Sequence, residues 1–535
     1  MASEFRRDLI ILAAASLLFL FSSQVLSFVG PIFASPDETA NAFFAETFAA
    51  QGKLYSFEPL NTVLGDVLFP RSLLSIDGRI LPISFVGLPL LFGGLIKLFG
   101  FWSLSFWTPL FAILAVFAWY AIFRQWFNRQ IGFWSALLLL ITPAWWYWSA
   151  RPLMHNVLAV SFLIFSVFFL AVRPIKQKFK TNSRLDYVLA GLMLSASLWI
   201  RASEIFWLVP LAIFVLLITW KKISWSAVLF FLVTLIISLA PMLFLNNSLY
   251  GNYFSTGYTA VSSVVNSVDV NYETQNFTSL RDRIDSILPF GFHPRAALRN
   301  VWHYGLFMFW WLTIPAAVGL WVVWRRGVRA QYFVPLLVAA AILGIVYGSS
   351  AIHDNPDASA ITIGNSYSRY WLPLFVAITP LIAMALVKLS EWNFFKKIKK
   401  IVLPVCFVIF FALSFNLVFL SSDDALWPMR QRSIIVAAVH ERVLELTEPE
   451  AVIIVDRADK LFFPDRRVRY PLRDETTYGL MPKLAAEVPL YYYGITFPQS
   501  DLDYLNNEKL KGLGLQIDFV ESFGGETLYR ISFLQ

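Results

Sequence analysis

Apolar runs of about 20 residues recur along this chain, separated by short clusters of Lys and Arg, and that alternation limits the fold more than any motif does. A helix rises about 1.5 Å per residue, so each run can cross roughly 30 Å of hydrocarbon, where only a helix or a closed barrel satisfies every backbone group. With 58% hydrophobic and 15% charged residues, the chain reads as a polytopic α-helical membrane protein. The formal net charge of +8 does not point to nucleic acid, because the cations sit between spans. They cluster at Arg124/Arg129, Arg173 to Arg184, Lys221/Lys222, Arg325/Arg326/Arg329 and Lys396 to Lys400, the positive-inside pattern.

Crossings are expected near 9–29, 102–123, 131–150, 154–172, 185–200, 204–220, 224–245, 302–324, 331–349, 371–388 and 401–420, about eleven in all. Arg6 and Arg7 precede an apolar run too long for a signal-peptide core, so the first span is read as an uncleaved anchor. The stretch 83–99 is short and contains Gly87, Gly93 and Gly94, which fits an interfacial or re-entrant helix. Parity then places the amino terminus in the cytoplasm, and loops 31–101, 246–301 and 350–370 outside it, most simply across a cell membrane. Two parts are expected: a transmembrane domain over 1–420 and an extracytoplasmic soluble α/β or α+β domain over 421–535. In the latter, helix patterns at 430–446 and 499–511 alternate with strand-like runs at 452–455 and 490–497, and 519–533 reads as a hairpin turning at Gly524-Gly525. A second hairpin is expected where Asp77-Gly78 separates 71–76 from 79–83. A chain ending near Ser421 is expected to keep the membrane core and donor binding while losing acceptor transfer. The lone Cys406 excludes an intrachain disulfide.

The residues that carry chemistry lie toward the outer ends of the spans. Ser35-Pro36-Asp37-Glu38 opens a helical pattern running to about Gln51. Ala40, Phe43, Phe44, Thr47 and Phe48 fall on one face, which suits lipid, while Asn41, Glu46 and Gln51 face water. The same residues fit a plain helix start, with Ser35 and Glu38 as a capping box and Pro36 at the first position. Between Leu185 and Trp220 an apolar run of about 36 residues is broken by Arg201 and Glu204, too long for one crossing and short for two with a loop. The bend therefore lies below the outer surface, where an arginine requires a water-filled cavity, a partner or an anion; an Arg201–Glu204 pair capping the bend is the plainer reading. Arg151 follows Trp145-Trp146-Tyr147-Trp148, taken as an interfacial aromatic cluster, and precedes His155 and Asn156. Arg369 holds a similar place in Asn365-Ser366-Tyr367-Ser368-Arg369-Tyr370; snorkelling at a span end is the alternative for both.

With these residues in view, the chain resembles the GT-C superfamily of glycosyltransferases, in the branch of dolichyl-phosphate-mannose protein mannosyltransferases and lipid A aminoarabinose transferases. The resemblance rests on the first span, Asp37-Glu38, Ala45-Glu46-x-x-Ala49-x-x-Gly52, Trp148-Ser149-Ala150-Arg151, the stretch from Leu198 to Glu204, Asn247-x-x-Tyr250-Gly251 and Arg369-Tyr370-Trp371-Leu372-Pro373. It covers about the first 420 residues at the level of architecture. It implies transfer of a sugar from a polyprenyl-phosphate donor to a hydroxyl of a glycan, lipid or protein acceptor on the outer face, without a nucleotide sugar and with inversion. Asp37 is similar in position to the family's catalytic carboxylate, with Glu38 orienting or assisting. Arg201, Arg151, Arg369 and His155 become candidates for the donor phosphate.

Where relatives place an acidic residue after the second outer turn, this chain has Arg151-Pro152-Leu153-Met154-His155-Asn156. The acceptor signature of oligosaccharyltransferases is not evident. His353-Asp354-x-x-Asp357 has unspecific spacing, so no metal site is assigned, and His293 receives no role. Alternatives are a transporter or a flippase for lipid-linked glycans, which would carry deep ionisable groups or repeated halves, and a polytopic scaffold.

Overall fold

The computed structural model describes residues 2–27, 32–172, 184–222, 224–260, 291–326, 330–350, 352 and 360–534. Most of the cationic stretch from Arg173, the centre of the loop 246–301, and His353, Asp354 and Asp357 lie outside the described residues. The chain is an integral membrane protein that divides into two compact units.

The first unit comprises residues 1–26, 105–242 and 271–429. Among the described residues each apolar run expected to cross is mainly helical, the first only as far as Ser23. Among the described residues five helices are long and apolar enough to cross a membrane, Phe101–Trp126, Ala202–Thr219, Trp225–Tyr250, Leu372–Ser390 and Lys399–Phe419, and the number rises to seven if each of two bent pairs is one span. The remaining expected spans are the helices Ala2–Ser23, His155–Ala171, Arg184–Ile200 and Ala330–Gly348. The strict count falls below the sequence count because several runs are shortened or broken. Arg129–Ile141 and Pro143–Ser149 meet at 53°, where Pro143 withholds a backbone donor. Pro294–Phe307 and Trp310–Arg325 meet at 96°, beside the π-helical stretch Val301–Phe307. At one end of the unit, Asp8 and Glu4 of the first helix pair with Arg129 at 2.6 and 3.0 Å, and the Arg124 guanidinium lies 4.2 Å from the Phe5 ring.

The second unit comprises residues 27–104, 243–270 and 430–535. Strand β1 (Ser56–Phe57), β2 (Leu73–Ile76) and β3 (Arg79–Pro82) form an antiparallel sheet in the order β1-β3-β2. Its hairpin turns at Asp77-Gly78 as expected, both residues having positive φ (51° and 75°), the geometry of a two-residue turn. The carboxylate of Asp66 fixes that turn by accepting from the backbone N–H groups of Asp77 and Gly78.

The larger sheet joins β4 (Val452–Val455), β5 (Arg467–Arg469), β6 (Leu490–Ile495), β7 (Leu515–Phe523) and β8 (Glu526–Phe533) in the order β5-β4-β6-β8-β7. β4 runs parallel to β5 and β6, whereas the β6–β8 and β7–β8 pairs are antiparallel, so the sheet is mixed. β5 and the helix Glu475–Glu487 were not read from the sequence. Because side chains alternate across a strand, the apolar β4 and β6 serve two cores at once. Val452, Ile454, Leu490 and Tyr492 join Met481 and Leu484 of Glu475–Glu487. Ile453, Val455, Tyr491 and Tyr493 join Val443 from the helix Leu426–Leu446 and Ala40 and Phe44 from the helix Pro36–Gln51.

That second core corrects the expected setting of Pro36–Gln51. Its apolar face packs in protein, with Phe43 4.8 Å from the ring of Phe463 and Phe44 fully buried. Asn41 does not face water: it is buried and accepts a 2.9 Å hydrogen bond from Ser84 Oγ. Helical periodicity identifies an apolar face but does not tell lipid from protein. The helix Gly87–Phe99 lies against it, and its 13 residues rise about 20 Å, less than a bilayer's hydrocarbon. At Gly93 the approach is so close that a Cβ would stand 2.7 Å from the Ala45 carbonyl oxygen.

Candidate functional site

Two groups of candidate residues form, one in each unit. In the second unit, Ser35 caps the helix Pro36–Gln51 in an extended conformation, with the Glu38 N–H donating to Ser35 Oγ and Ser35 Oγ donating to Glu38 Oε2 at 3.0 Å. Glu38 is thus buried with its carboxylate on the capping hydroxyl, a variant of the expected capping box. Asp37, half-buried in the first turn, accepts a 2.6 Å hydrogen bond from Ser72 Oγ through its Oδ1. Ser72 precedes β2 and has φ of 67°, a left-handed backbone uncommon outside glycine.

The first unit holds the cations. Helix Arg184–Ile200 ends at Arg201 (φ −151°, ψ 88°), and one 3-10 turn, Ala202–Glu204, leads into Ile205–Thr219, so the break falls where the sequence placed it. Arg201 and Glu204 each retain only 7% side-chain exposure and pair at 2.7 Å from Nε to Oε1. The other Glu204 oxygen accepts from Trp207 Nε1. The capping pair is therefore present, but Arg201 does more than cap. Its Nη2 donates to Tyr347 Oη at 3.3 Å, and its guanidinium lies 4.6 Å from the Tyr370 ring centre.

Tyr370 is shared. The Arg369 guanidinium sits 5.1 Å from the same ring and 5.5 Å from Trp148, while Arg151 lies 4.9 Å from Trp148. Three guanidinium groups from three separate chain segments thus meet around two aromatic rings, where ring faces favour cations most when water is sparse. Asn156 supports the cluster by donating to the Arg369 carbonyl at 3.2 Å, and His155 is buried at the start of His155–Ala171. The cluster Trp145 to Trp148 departs from expectation. All four rings are buried in protein, and the indole N–H groups of Trp146 and Trp148 donate to Ser22 Oγ and Ser368 Oγ. They are core and cation-stacking residues, on a short helix that bends 53° from Arg129–Ile141 at Pro143.

His293 precedes the helix Pro294–Asn300, and its backbone N–H donates to Ser349 Oγ. Among the described residues no three His, Cys, Asp or Glu side chains gather as a metal site would require. Sequence reasoning missed Ser72 and Tyr347 altogether. Trp148 and Tyr370 did carry a signal, since each belongs to a motif that also contains one of the arginines.

Residues 87–245 match the model of the dolichyl-phosphate-mannose-protein mannosyltransferase family. No curated protein matches the chain by sequence. Among solved structures, ArnT from Cupriavidus metallidurans bound to undecaprenyl phosphate superposes with a TM-score of 0.56 at 12% identity, over 98% of this chain and 97% of that one. The apo state of the same protein gives 0.57 at 12% identity, over 99% and 98%. The oligosaccharyltransferase of Archaeoglobus fulgidus in complex with Zn and sulfate gives 0.52 at 12% identity, over 93% of this chain and 69% of that one. The chain has the fold of ArnT along nearly its whole length, and the resemblance to the polyprenyl-phosphate-dependent glycosyltransferases read from its motifs is carried by a family match and a fold match together.

Proposed function

We propose that this chain is an inverting membrane glycosyltransferase that moves a sugar from a polyprenyl-phosphate carrier to an acceptor hydroxyl on the extracytoplasmic face. The observation that carries this reading is the meeting of Arg151, Arg201 and Arg369 around Trp148 and Tyr370. A departing lipid phosphate gathers negative charge on its oxygens, and fixed guanidinium groups in a low-dielectric setting lower the energy of that state without reorganising. The resemblance to ArnT, whose crystals hold undecaprenyl phosphate, supports a carrier of that chemical class.

In the reaction the acceptor oxygen attacks the anomeric carbon as its bond to the phosphate oxygen breaks, and the electron pair leaves with the lipid phosphate. The acceptor proton passes to Asp37, a general base of suitable type at a helix start, with Ser72 holding the carboxylate. One direct displacement inverts the anomeric centre. Glu38 supports the same turn through its capping box, and His155 is a further phosphate candidate. Loops 31–101, 246–301 and 350–370 and residues 421–535 face outward in this scheme. The pairing of Glu4 and Asp8 with Arg129 supports placing the amino terminus and the basic turn after Trp126 on one cytoplasmic side.

The test is transfer by purified protein from a panel of radiolabelled polyprenyl-phosphate sugars, with mannose, glucose, galactose and arabinose as head groups. Release of free polyprenyl phosphate coupled to sugar transfer is expected for at least one. Movement of labelled carrier between leaflets with no sugar transfer would replace this function with a flippase.

A further inference from the structure

One short segment of the carboxy-terminal region contacts the chain on both sides of the candidate base. Asp459, fully buried, accepts from the Arg71 backbone N–H through Oδ2 at 2.7 Å, while its Oδ1 accepts from Arg71 Nε at 2.8 Å and Nη2 at 2.5 Å. Arg71 Nη2 also donates to the Arg457 carbonyl at 2.6 Å. The next residue along, Lys460, donates from Nζ to the carbonyl of Ala34, immediately before the Ser35 cap. Arg71 adjoins Ser72, whose carbonyl accepts from the Ile83 N–H and whose hydroxyl reaches Asp37. The turn that starts with Asp459 therefore grips the loop that supplies the hydroxyl and the loop that supplies the carboxylate.

Fold stability alone is a weak account of this arrangement. Asp459 is fully buried while Arg71 keeps 35% of its side chain exposed, and a pair of this kind gains little over apolar residues of the same volume, so holding the chain together does not call for one here. An apolar pair could not bind the Arg71 peptide N–H, nor hold a serine in a left-handed conformation that its own side chain disfavours. Strained backbone of this kind persists where its surroundings over-determine it, and here they do so beside the candidate base.

We propose that Asp459 and Lys460 are positioning residues that fix the Asp37 carboxylate, Asp459 acting through Arg71 and Ser72 and Lys460 through Ala34. The proposal rests on the reading of Asp37 as the base. It makes the carboxy-terminal region a structural part of the catalytic loop.

Two measurements on the full-length protein test it. In the first, which needs no substrate, hydrogen exchange is followed over residues 32–51. Asp459→Asn is expected to speed exchange there about tenfold and Lys460→Met less, while Arg442→Ala, which removes an exposed pair with Glu521, leaves it unchanged. Unchanged exchange in Asp459→Asn overturns the proposal. The second uses Ser72→Gly, which suits the positive φ and should fold even if Asp459→Asn does not. With the active donor of the panel, its kcat is expected to fall about 10- to 100-fold at unchanged KM and unchanged affinity for undecaprenyl phosphate. Ser72→Asn, which tolerates this backbone and carries an amide donor, should recover part of the loss. Wild-type kcat in Ser72→Gly overturns the clamp while Asp37→Asn still tests the base. Normal turnover by Asp37→Asn would instead remove the base assignment, and the exchange result alone would then decide the clamp.

Discussion

The two candidate groups hold their charges by opposite means. In the first unit, Arg151, Arg201 and Arg369 sit among aromatic rings, and the Arg201 charge is matched by a carboxylate three residues along the chain. In the second unit, the Asp37 carboxylate is held by the Ser72 hydroxyl from another loop, whose neighbour Arg71 is anchored by Asp459, 388 positions beyond it. The cluster of cations is built from segments that each resemble a span end, so every arginine could be picked out locally. The support of the carboxylate is built from ordinary loop residues whose role exists only in three dimensions. A cation on an aromatic face tolerates modest displacement, whereas a general base must meet one proton at hydrogen-bond distance.

The largest effect that would break this contrast is expected at Asp37. The variant Asp37→Asn keeps the acceptor for Ser72 and the shape of the first helical turn but cannot take up a proton. Transfer should fall by at least about a hundredfold with the melting temperature unchanged within a few degrees. A near-normal rate in labelled-sugar transfer would remove the base assignment and with it the contrast. Arg201 comes next. Arg201→Ala should weaken donor binding about 10- to several-hundred-fold and also destabilise the protein, because it leaves Glu204 buried without its ion-pair partner. The double variant Arg201→Met with Glu204→Gln separates the two outcomes: stability should return toward the parent while donor affinity stays low. Recovery of both would reduce the arginine to a cap. A smaller change is expected at the shared ring. Tyr370→Leu removes a face used by two guanidinium groups, and a combined loss of about 0.5–2 kcal/mol should raise donor KM roughly 2- to 30-fold with kcat little changed. Tyr370→Phe, which keeps the face, should behave like the parent.

Much of the architecture was legible in the sequence because helix length and strand alternation are local. The break at Arg201, the turn at Asp77-Gly78, the capping box at Ser35 and Glu38, and strands β4, β7 and β8 all follow from neighbours within a few residues. β5 was not, since Arg467–Arg469 offers only Val468 as an apolar residue and forms by pairing with β4. The burial of Trp145 to Trp148 was also hidden, because an aromatic run reads alike at a lipid interface and in a protein core. The expected effect of ending the chain near Ser421 changes as well. Val443, Ile453, Phe462 and Tyr493 supply the core against which Ala40 and Phe44 pack, so such a chain loses the support of the Asp37 helix along with any role in acceptor binding.

By itself the sequence determined that this protein lives in a membrane, which long apolar segments are helical, and which ionisable residues stand at the breaks between them. Those properties depend on transfer from water to lipid and on hydrogen bonds between near neighbours, and both are encoded over stretches of about 20 residues or fewer. The tertiary structure decided which arginines share a ring, which face of Pro36–Gln51 is buried and against what, and that Asp459 and Lys460 reach the loops around Asp37. Contacts between residues hundreds of positions apart leave no periodicity in one chain, because their energy comes from burial and geometry fixed only when the segments meet.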